Sequence, residues 1–558
     1  MKNIGLWYNN KNIVKKITSF RLHLLKYMRI CANINLWSVV YHKERGSSMG
    51  KRYDVVVVGA GNGGLAAAAW MAKEGKKVLL LEKHNIPGGC AGSIVRGRFE
   101  FELTLHELCQ MGPEGTGEVR KLLDELGTDV EWIAMDEAFH TINTHPVHGF
   151  DVEMPIGPEA FVNEMEKEVP GSRPAMENLM EINRMITDAI AWLASYQNDP
   201  PKAQMLLKWS DFMKMAAVPA DEMLRKLGLP DKAREIYESY WDYLSVDCTR
   251  VSFVVYSFMV YTYLTKKPYI ARKRSFEIVL ALEQRIRDFG GEIRYNAKVN
   301  KMDIKNNQVR GVELIDGTYI PCERIISNVM PTVAFARMTD PEEVPVRDKK
   351  LCNARTLGPS GFVIYLGLDA SADALGIRGY DTFVRETADT RILFEKCKTR
   401  ASHRKIFNYS CLNRAVSDAS PEGTCMIMFL LLYTEDAFAD VTEENYFQIK
   451  DQIVEETIDY FEQAAKVSIR DHIEELVTAS PVTLARYIGT PQGNCYGYAV
   501  PMWDGMLPRT MSGEKEDYTV RGLRFCGGHG TQMDGYSQAY LSGRETARYT
   551  LKDMREGR

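Results

Sequence analysis

Tyr53-Asp54-Val55-Val56-Val57-Val58 is a short apolar run, rich in β-branched residues and without polar alternation. That pattern predicts a strand buried on both faces of a parallel sheet. Gly59-Ala60-Gly61-Asn62-Gly63-Gly64 follows at once, and the Ala-rich stretch from Leu65 to Lys73 predicts a helix. Lys77 to Leu81 predicts a second apolar strand, closed by Glu82. Farther on, Val309-Arg310-Gly311-Val312-Glu313-Leu314 and Asp316-Gly317 predict a β-meander hairpin with a tight turn, and Ile325 to Asn328 a returning strand. Residues 151–265 are helix-rich by periodicity. They end in the fourteen-residue apolar run Val251–Leu264, too short to span a bilayer.

The first strand, turn and helix have the form of a dinucleotide site. Gly59 permits the tight turn, Gly61 lets backbone approach a pyrophosphate, and Gly64 lets helix and strand pack closely, with Asn62 and Gly63 between them. The helix N-terminus stabilises phosphate charge, and the Glu82 carboxylate accepts hydrogen bonds from ribose hydroxyls. A G-x-G-x-x-G alone is weak evidence; inside a β-α-β frame closed by an acid it is specific. A carboxylate there repels a 2′-phosphate, which favours FAD or NAD over NADP.

Composition narrows the classes. The chain has 558 residues, 45% hydrophobic and 26% charged, which excludes a disordered chain and a polytopic membrane protein. A net charge of −4 gives no basic excess for nucleic acid. Eleven cysteines with no C-x-x-C pair read as scattered thiols in a reducing cytoplasm. Residues 1–48 differ, with nine Lys/Arg against one acid. Two readings stand for them: a basic amphipathic membrane-surface segment, or an extension, disordered or untranslated, upstream of a start at Met49.

After Glu82-Lys83 comes a second glycine cluster, Gly88-Gly89-Cys90-Ala91-Gly92-Ser93. Near the end stand Gly522-Leu523-Arg524-Phe525-Cys526-Gly527-Gly528-His529, Met533-Asp534-Gly535-Tyr536 and Ser542-Gly543. In this order the sequence resembles the phytoene desaturase, carotenoid isomerase and retinol saturase family of FAD-dependent enzymes. Gly290 to Val299, Ser410-Cys411-Leu412 and Thr490 to Gly497 are similar to further family segments. Two places depart from it: Glu102-Leu103-Thr104-Leu105-His106, where many relatives carry a glycine, and Arg272-Lys273-Arg274-Ser275, where they often carry Gly-Gly.

The resemblance implies an α/β fold. A Rossmann-like FAD-binding domain, with a three-layer, mostly parallel sheet and a β-meander, is interleaved with an α+β substrate domain. Residues 49–150, 270–345 and 515–558 are expected in the first, and 151–269 and 346–514 in the second. It implies FAD held by Gly59, Gly61, Asn62, Gly63, Gly64, Glu82, Lys83, Gly88, Gly89, Gly92 and Ser93, by the Val299 backbone, and by Gly527, Gly528, Asp534, Gly535 and Tyr536. A helix starting near Gly535 would point its N-terminus at the flavin pyrimidine, where it stabilises the anionic reduced form.

The implied activity is saturation, isomerisation or desaturation of a C=C bond in a hydrophobic polyene, isoprenoid or related lipid, with an unspecified electron donor or acceptor. His106, His529, Tyr496 and Tyr536 are the candidates for handling the proton; each also reads as a packing or cofactor-bonding residue. The 251–264 run is either a wall of the substrate cavity or a buried core helix. Lys266, Lys267, Arg272, Lys273 and Arg274 form either a rim for anionic lipid or a solvated cluster. No metal site is expected. Two rivals share the architecture: a flavin amine oxidase, and a non-catalytic prenyl-lipid binding protein.

Overall fold

The computed structural model describes residues 52–558 except 105–106, 113–115, 197–199, 401–402, 506, 508, 510–517, 531–532 and 558. The expectations for residues 1–48 and for His106 lie outside the described residues. Tyr53–Arg558 forms one unit built on two seven-stranded sheets.

The first sheet is centred on the strand Tyr53–Val58. It pairs in parallel with Val78–Leu81 on one side and Tyr319–Ser327 on the other. Glu292–Arg294 extends the first side, and Leu523–Phe525 adds to Tyr319–Ser327. Alternation decides the layers. Val55 and Val57 pack on the helices Asn62–Lys73, Ser275–Asp288 and Tyr536–Glu556. Val56 and Val58 pack on the meander Val299–Lys305, Gln308–Leu314 and the start of Tyr319–Ser327. Both faces are covered from Val55 to Val58, which accounts for the unbroken valines there, while Asp54 at the start of the strand is only partly buried and accepts from the Lys77 amide.

The second sheet runs in the order Ile473–Ala479, Ser360–Leu368, Cys425–Tyr433, Ile406–Cys411, Asp381–Arg385, Glu137–Asn143 and Phe150–Pro155. It is antiparallel but for the pairing of Asp381–Arg385 with Glu137–Asn143. Residues 137–150 therefore belong with the substrate-side sheet, and the division expected after 150 falls before Glu137. Phe362, Ile364 and Leu366 pack beneath the helix Tyr446–Ala465, while Val363 and Tyr365 face Phe99 and Phe101.

The apolar run forms the helix Phe253–Lys266, buried over most of its surface among the helices of residues 158–226. Among the described residues no helix is long and apolar enough to cross a membrane. The basic cluster beyond it is largely engaged. Arg274 donates to the carbonyls of Glu100 and Ala419, both at 2.7 Å. Arg272 pairs with Asp418 at 2.7 Å, and Lys273 lies 3.9 Å from Glu277. Among the described residues Lys266 and Lys267 have no ion pair.

Candidate functional site: a glycine cradle opening into an apolar cleft

The glycine turn is held from both ends. Gly59 adopts φ +96° and donates to the Leu81 carbonyl at 2.8 Å. A β-carbon on Gly64 would stand 2.0 Å from the Gly59 oxygen, so helix and strand meet there only without one. Buried Glu82 accepts from the Ala60 amide at 2.7 Å and the His84 amide at 2.9 Å, which fixes its carboxylate against the turn. Gly61 bridges to Gly88, and the Gly88 amide donates to the Ala60 carbonyl at 2.8 Å. The two glycine clusters thus form one surface.

The C-terminal motif closes on the same surface. A β-carbon on Gly63 would lie 2.6 Å from the Gly527 nitrogen, and one on Gly543 would lie 2.3 Å from the Gly63 carbonyl. The helix Tyr536–Glu556 can therefore cross the helix Asn62–Lys73 in close contact. Both begin at the cleft. Asn328, at the end of Tyr319–Ser327, sets its side chain amid Gly61, Gly63 and Gly527. On the far side Asn494 ties Gly358 and Gly497 with three hydrogen bonds of 2.6 to 2.8 Å.

From this cradle a solvent-connected cleft runs between the sheets. Val255, Phe258, Met259, Thr262 and Tyr263 line it, one face of the helix Phe253–Lys266 at i, i+3, i+4, i+7 and i+8. This helix is thus both core and cavity wall. Val363, Leu430, Leu484 and Met533 add apolar surface.

Of the residues expected at a cofactor, Gly61, Asn62, Gly63, Gly88, Gly89, Gly527, Gly528, Asp534, Gly535 and Tyr536 line the cleft. Gly59, Gly64 and Glu82 shape the turn behind it. The others have different surroundings. Lys83 donates to the Ile488 carbonyl at 2.9 Å, Ser93 to Glu100 at 2.5 Å, Gly92 packs against Leu103, and Val299 pairs with Leu314 in the meander.

The proton-handling candidates separate. Tyr496 donates to the Asp242 carbonyl at 3.0 Å, and Tyr536 to the Cys90 carbonyl at 2.8 Å. Burial pushes both phenols well above their ordinary range, so they act here as anchors. Burial, then Arg509 and Arg355, pulls the His529 imidazole down to about 3, so it is neutral at physiological pH. Burial pushes the Asp534 carboxyl up to about 7. Three buried atoms at the cradle, Asn62 Oδ1, His529 Nε2 and Asp534 Oδ2, have no hydrogen-bond partner among the described residues.

Orphaned polar atoms are costly unless a ligand satisfies them. With the glycine surface and two helix N-termini, they fit a dinucleotide whose phosphates and ring need donors, acceptors and close backbone approach. Sequence reasoning missed Asn328 and Glu107, which both line the cleft. Asn328 carried a signal, since it follows the strand beside the first; Glu107 lies in a segment without a motif.

Comparison with known proteins agrees with this geometry. Residues 57–126 match the model for the NAD(P)-binding Rossmann-like domain. The all-trans-retinol 13,14-reductase of Danio rerio is 23% identical over 508 residues, covering 85% of this chain and 83% of that protein. The chloroplastic prolycopene isomerase of Daucus carota is 22% identical, covering 87% and 77%. Among solved structures, an oxidoreductase from Methanosarcina mazei has a TM-score of 0.57 at 16% identity, covering 88% of this chain and 99% of its own. A variant of putrescine oxidase has 0.60 at 14%, covering 90% and 99%. These two solved structures speak to the fold. The ordered glycine motifs, the cradle they build and the relatives agree: along most of its length this chain is similar to the all-trans-retinol 13,14-reductases and prolycopene isomerases, on a fold with a Rossmann-like dinucleotide-binding domain.

Proposed function

We propose that the protein is an FAD-dependent oxidoreductase acting on a C=C bond of a hydrophobic polyene, isoprenoid or related lipid. The observation that carries this is the continuity of one cleft, from the glycine cradle to the aliphatic and aromatic face of the helix Phe253–Lys266. A long apolar substrate laid along that face would reach the cradle over a mostly apolar wall. The relatives fit this reading, since one is named for reducing retinol and the other for isomerising prolycopene.

A bound flavin would supply hydride exchange. Gly61, Gly63 and Glu82 would hold the adenosine and pyrophosphate, and Gly527 and Gly528 the ribityl chain. The residues of this chain bind, orient and exclude water. The wall strips water from the substrate, worth about 25 cal/mol per Å² of apolar area buried.

The test is anaerobic. Flavin-loaded, dithionite-reduced protein is mixed with all-trans-retinol or with prolycopene, and the products are resolved by chromatography. A saturated or isomerised product supports the proposal. Hydrogen peroxide release with amines, and no change in either polyene, would favour the amine oxidase reading. Withdrawal of substrate from a bilayer makes reversible contact with anionic membrane part of the same proposal, through Lys266 and Lys267 at the end of the wall helix.

A further inference from the structure

One buried acid in the cleft takes no part in holding the cradle. Glu107 lines the cleft and is only 6% exposed. Its Oε1 has no hydrogen-bond partner among the described residues. Its position is fixed on the C-terminal side, where Leu108 and Tyr269 exchange backbone hydrogen bonds of 2.8 and 3.0 Å.

Two further carboxyls face it, Asp381 at the start of the strand Asp381–Arg385 and Glu137 at the start of Glu137–Asn143. Among the described residues Tyr240, Tyr243, Tyr263 and Tyr380 and the Cys109 thiol are the other titratable groups around it. The three acids are not equivalent. Asp381 accepts a short hydrogen bond from the Tyr243 hydroxyl, and Glu137 accepts one from the Tyr380 amide. Donated hydrogen bonds favour the charged form, whereas burial and like charge disfavour it. Glu107 Oε1 has the burial and the like charges without the donor. Burial first, then Asp381 and Glu137, holds its carboxyl well above the ordinary range.

Reduction of a C=C bond to CH–CH needs a proton as well as a hydride. Among the described residues the earlier candidates do not supply one, because Tyr496 and Tyr536 are committed to carbonyls and His529 is neutral. We propose that Glu107 is the acid that exchanges this proton with the substrate carbon. The proposal rests on the reading of the chain as a C=C oxidoreductase. In the saturating direction the π-electron pair forms a C–H bond with the Glu107 proton. The second C–H bond forms with hydride from the reduced cofactor, which is oxidised by two electrons. Glu107 is left as a carboxylate and regains its proton from solvent. Asp381 and Glu137 are positioning residues: carboxyls that face one another in a buried site are hard to ionise together, which keeps the proton on Glu107 between turnovers.

Two measurements on the flavin-loaded full chain test this, with Glu107→Gln and Glu107→Asp. The first needs no substrate. The infrared spectrum at pH 7 should show a buried protonated-carboxyl stretch that shifts in D2O and disappears in Glu107→Gln. A band unchanged in Glu107→Gln overturns the proposal, whatever the catalysis.

The second is single-turnover reduction of all-trans-retinol and of prolycopene by dithionite-reduced protein. Glu107→Gln should be slower by about 10²–10⁴-fold, the range for loss of a general acid. The flavin spectrum should be unchanged, and Glu107→Asp should recover part of the rate. A Glu107→Gln rate within about threefold of wild type overturns the proposal, since general acids contribute far more. If wild type holds flavin and converts neither polyene, the functional reading fails and takes the proposal with it; the infrared band then marks a structural acid. If Glu107→Gln binds no flavin, Glu107→Asp decides, and a band neither shifted nor weakened there is contrary.

Discussion

A β-carbon on Gly61 would lie 2.5 Å from Asn328 Nδ2, so the side chain that ends one strand occupies the space that a glycine leaves open on its neighbour. The same Asn328 approaches Gly63 and Gly527 through Oδ1, at 3.0 and 2.6 Å from their would-be β-carbons. The cradle is therefore a packed contact between three distant parts of the chain, and its glycines differ in what a substitution would meet.

Gly61→Ala meets the mobile end of a side chain, and its φ of −76° suits alanine. The variant should fold, losing about 1–3 kcal/mol to overpacking, and should hold little flavin because the methyl group blocks the pyrophosphate. Gly63→Ala meets the Gly527 backbone at 2.6 Å and should lower the melting temperature further. Gly61→Ala with Asn328→Ala should melt above Gly61→Ala alone, since the clash is shared and the effects are not additive. Thermal melts of the flavin-free proteins distinguish these outcomes.

Glu82 bonds two backbone amides before any ribose is present. Glu82→Ala should therefore weaken FAD by about 1–3 kcal/mol and also destabilise the flavin-free protein by a similar amount, because buried amides lose a charged acceptor. A flavin titration and a melt measure the two losses separately. Loss of affinity with an unchanged melt would mean that these amides find another acceptor.

His529 predicts an acid limit. Its folded pKa, about 3, lies below the ordinary 6.5, so the stability it contributes is present above pH 6.5 and is lost as pH falls toward 3. Between pH 6.5 and 4.5 the loss is about 2–3 kcal/mol from this group. Asp534 runs the other way. Its folded pKa of about 7 lies above 3.8, so its contribution is present below 3.8 and fades as pH rises through 7. His529→Gln should therefore lose less stability than wild type on going from pH 6.5 to 4.5, as read by urea unfolding.

The basic residues after the wall helix should behave as two groups. Lys266→Gln with Lys267→Gln should reduce co-sedimentation with anionic liposomes at low salt and leave the melt unchanged. Arg274→Gln should lower the melt instead, because Arg274 bonds two carbonyls across elements and its side chain is 9% exposed. Absence of wild type from the liposome pellet at low salt would contradict the membrane proposal.

The part of the site written in contiguous residues was legible. The run from Tyr53 to Glu82 and the segment from Gly522 to Gly543 are local instructions: a buried strand, a turn that excludes β-carbons, an acid or a helix start. Glu107 was not legible, because its importance depends on Asp381 and Glu137, far away in sequence. The boundary near 150 was misplaced for the same reason. Glu137–Asn143 is assigned to the second sheet by its parallel pairing with Asp381–Arg385, in a register that sets His140 beside Thr382. Hydrophobic periodicity marks a strand without naming its neighbour. The side chains of Lys83 and Ser93, expected at the cofactor, are bonded within the protein to the Ile488 carbonyl and to Glu100.

The central claim is that this cradle holds FAD and opens on a polyene-sized apolar cleft. The most direct measurement is chromatography of the flavin released by heat from the purified, reconstituted protein. The expected protein is yellow and releases FAD in near-equal amount to the chain, with little released from Gly61→Ala and less than wild type from Glu82→Ala. Release of FMN, or a colourless protein after reconstitution with FAD, would contradict it.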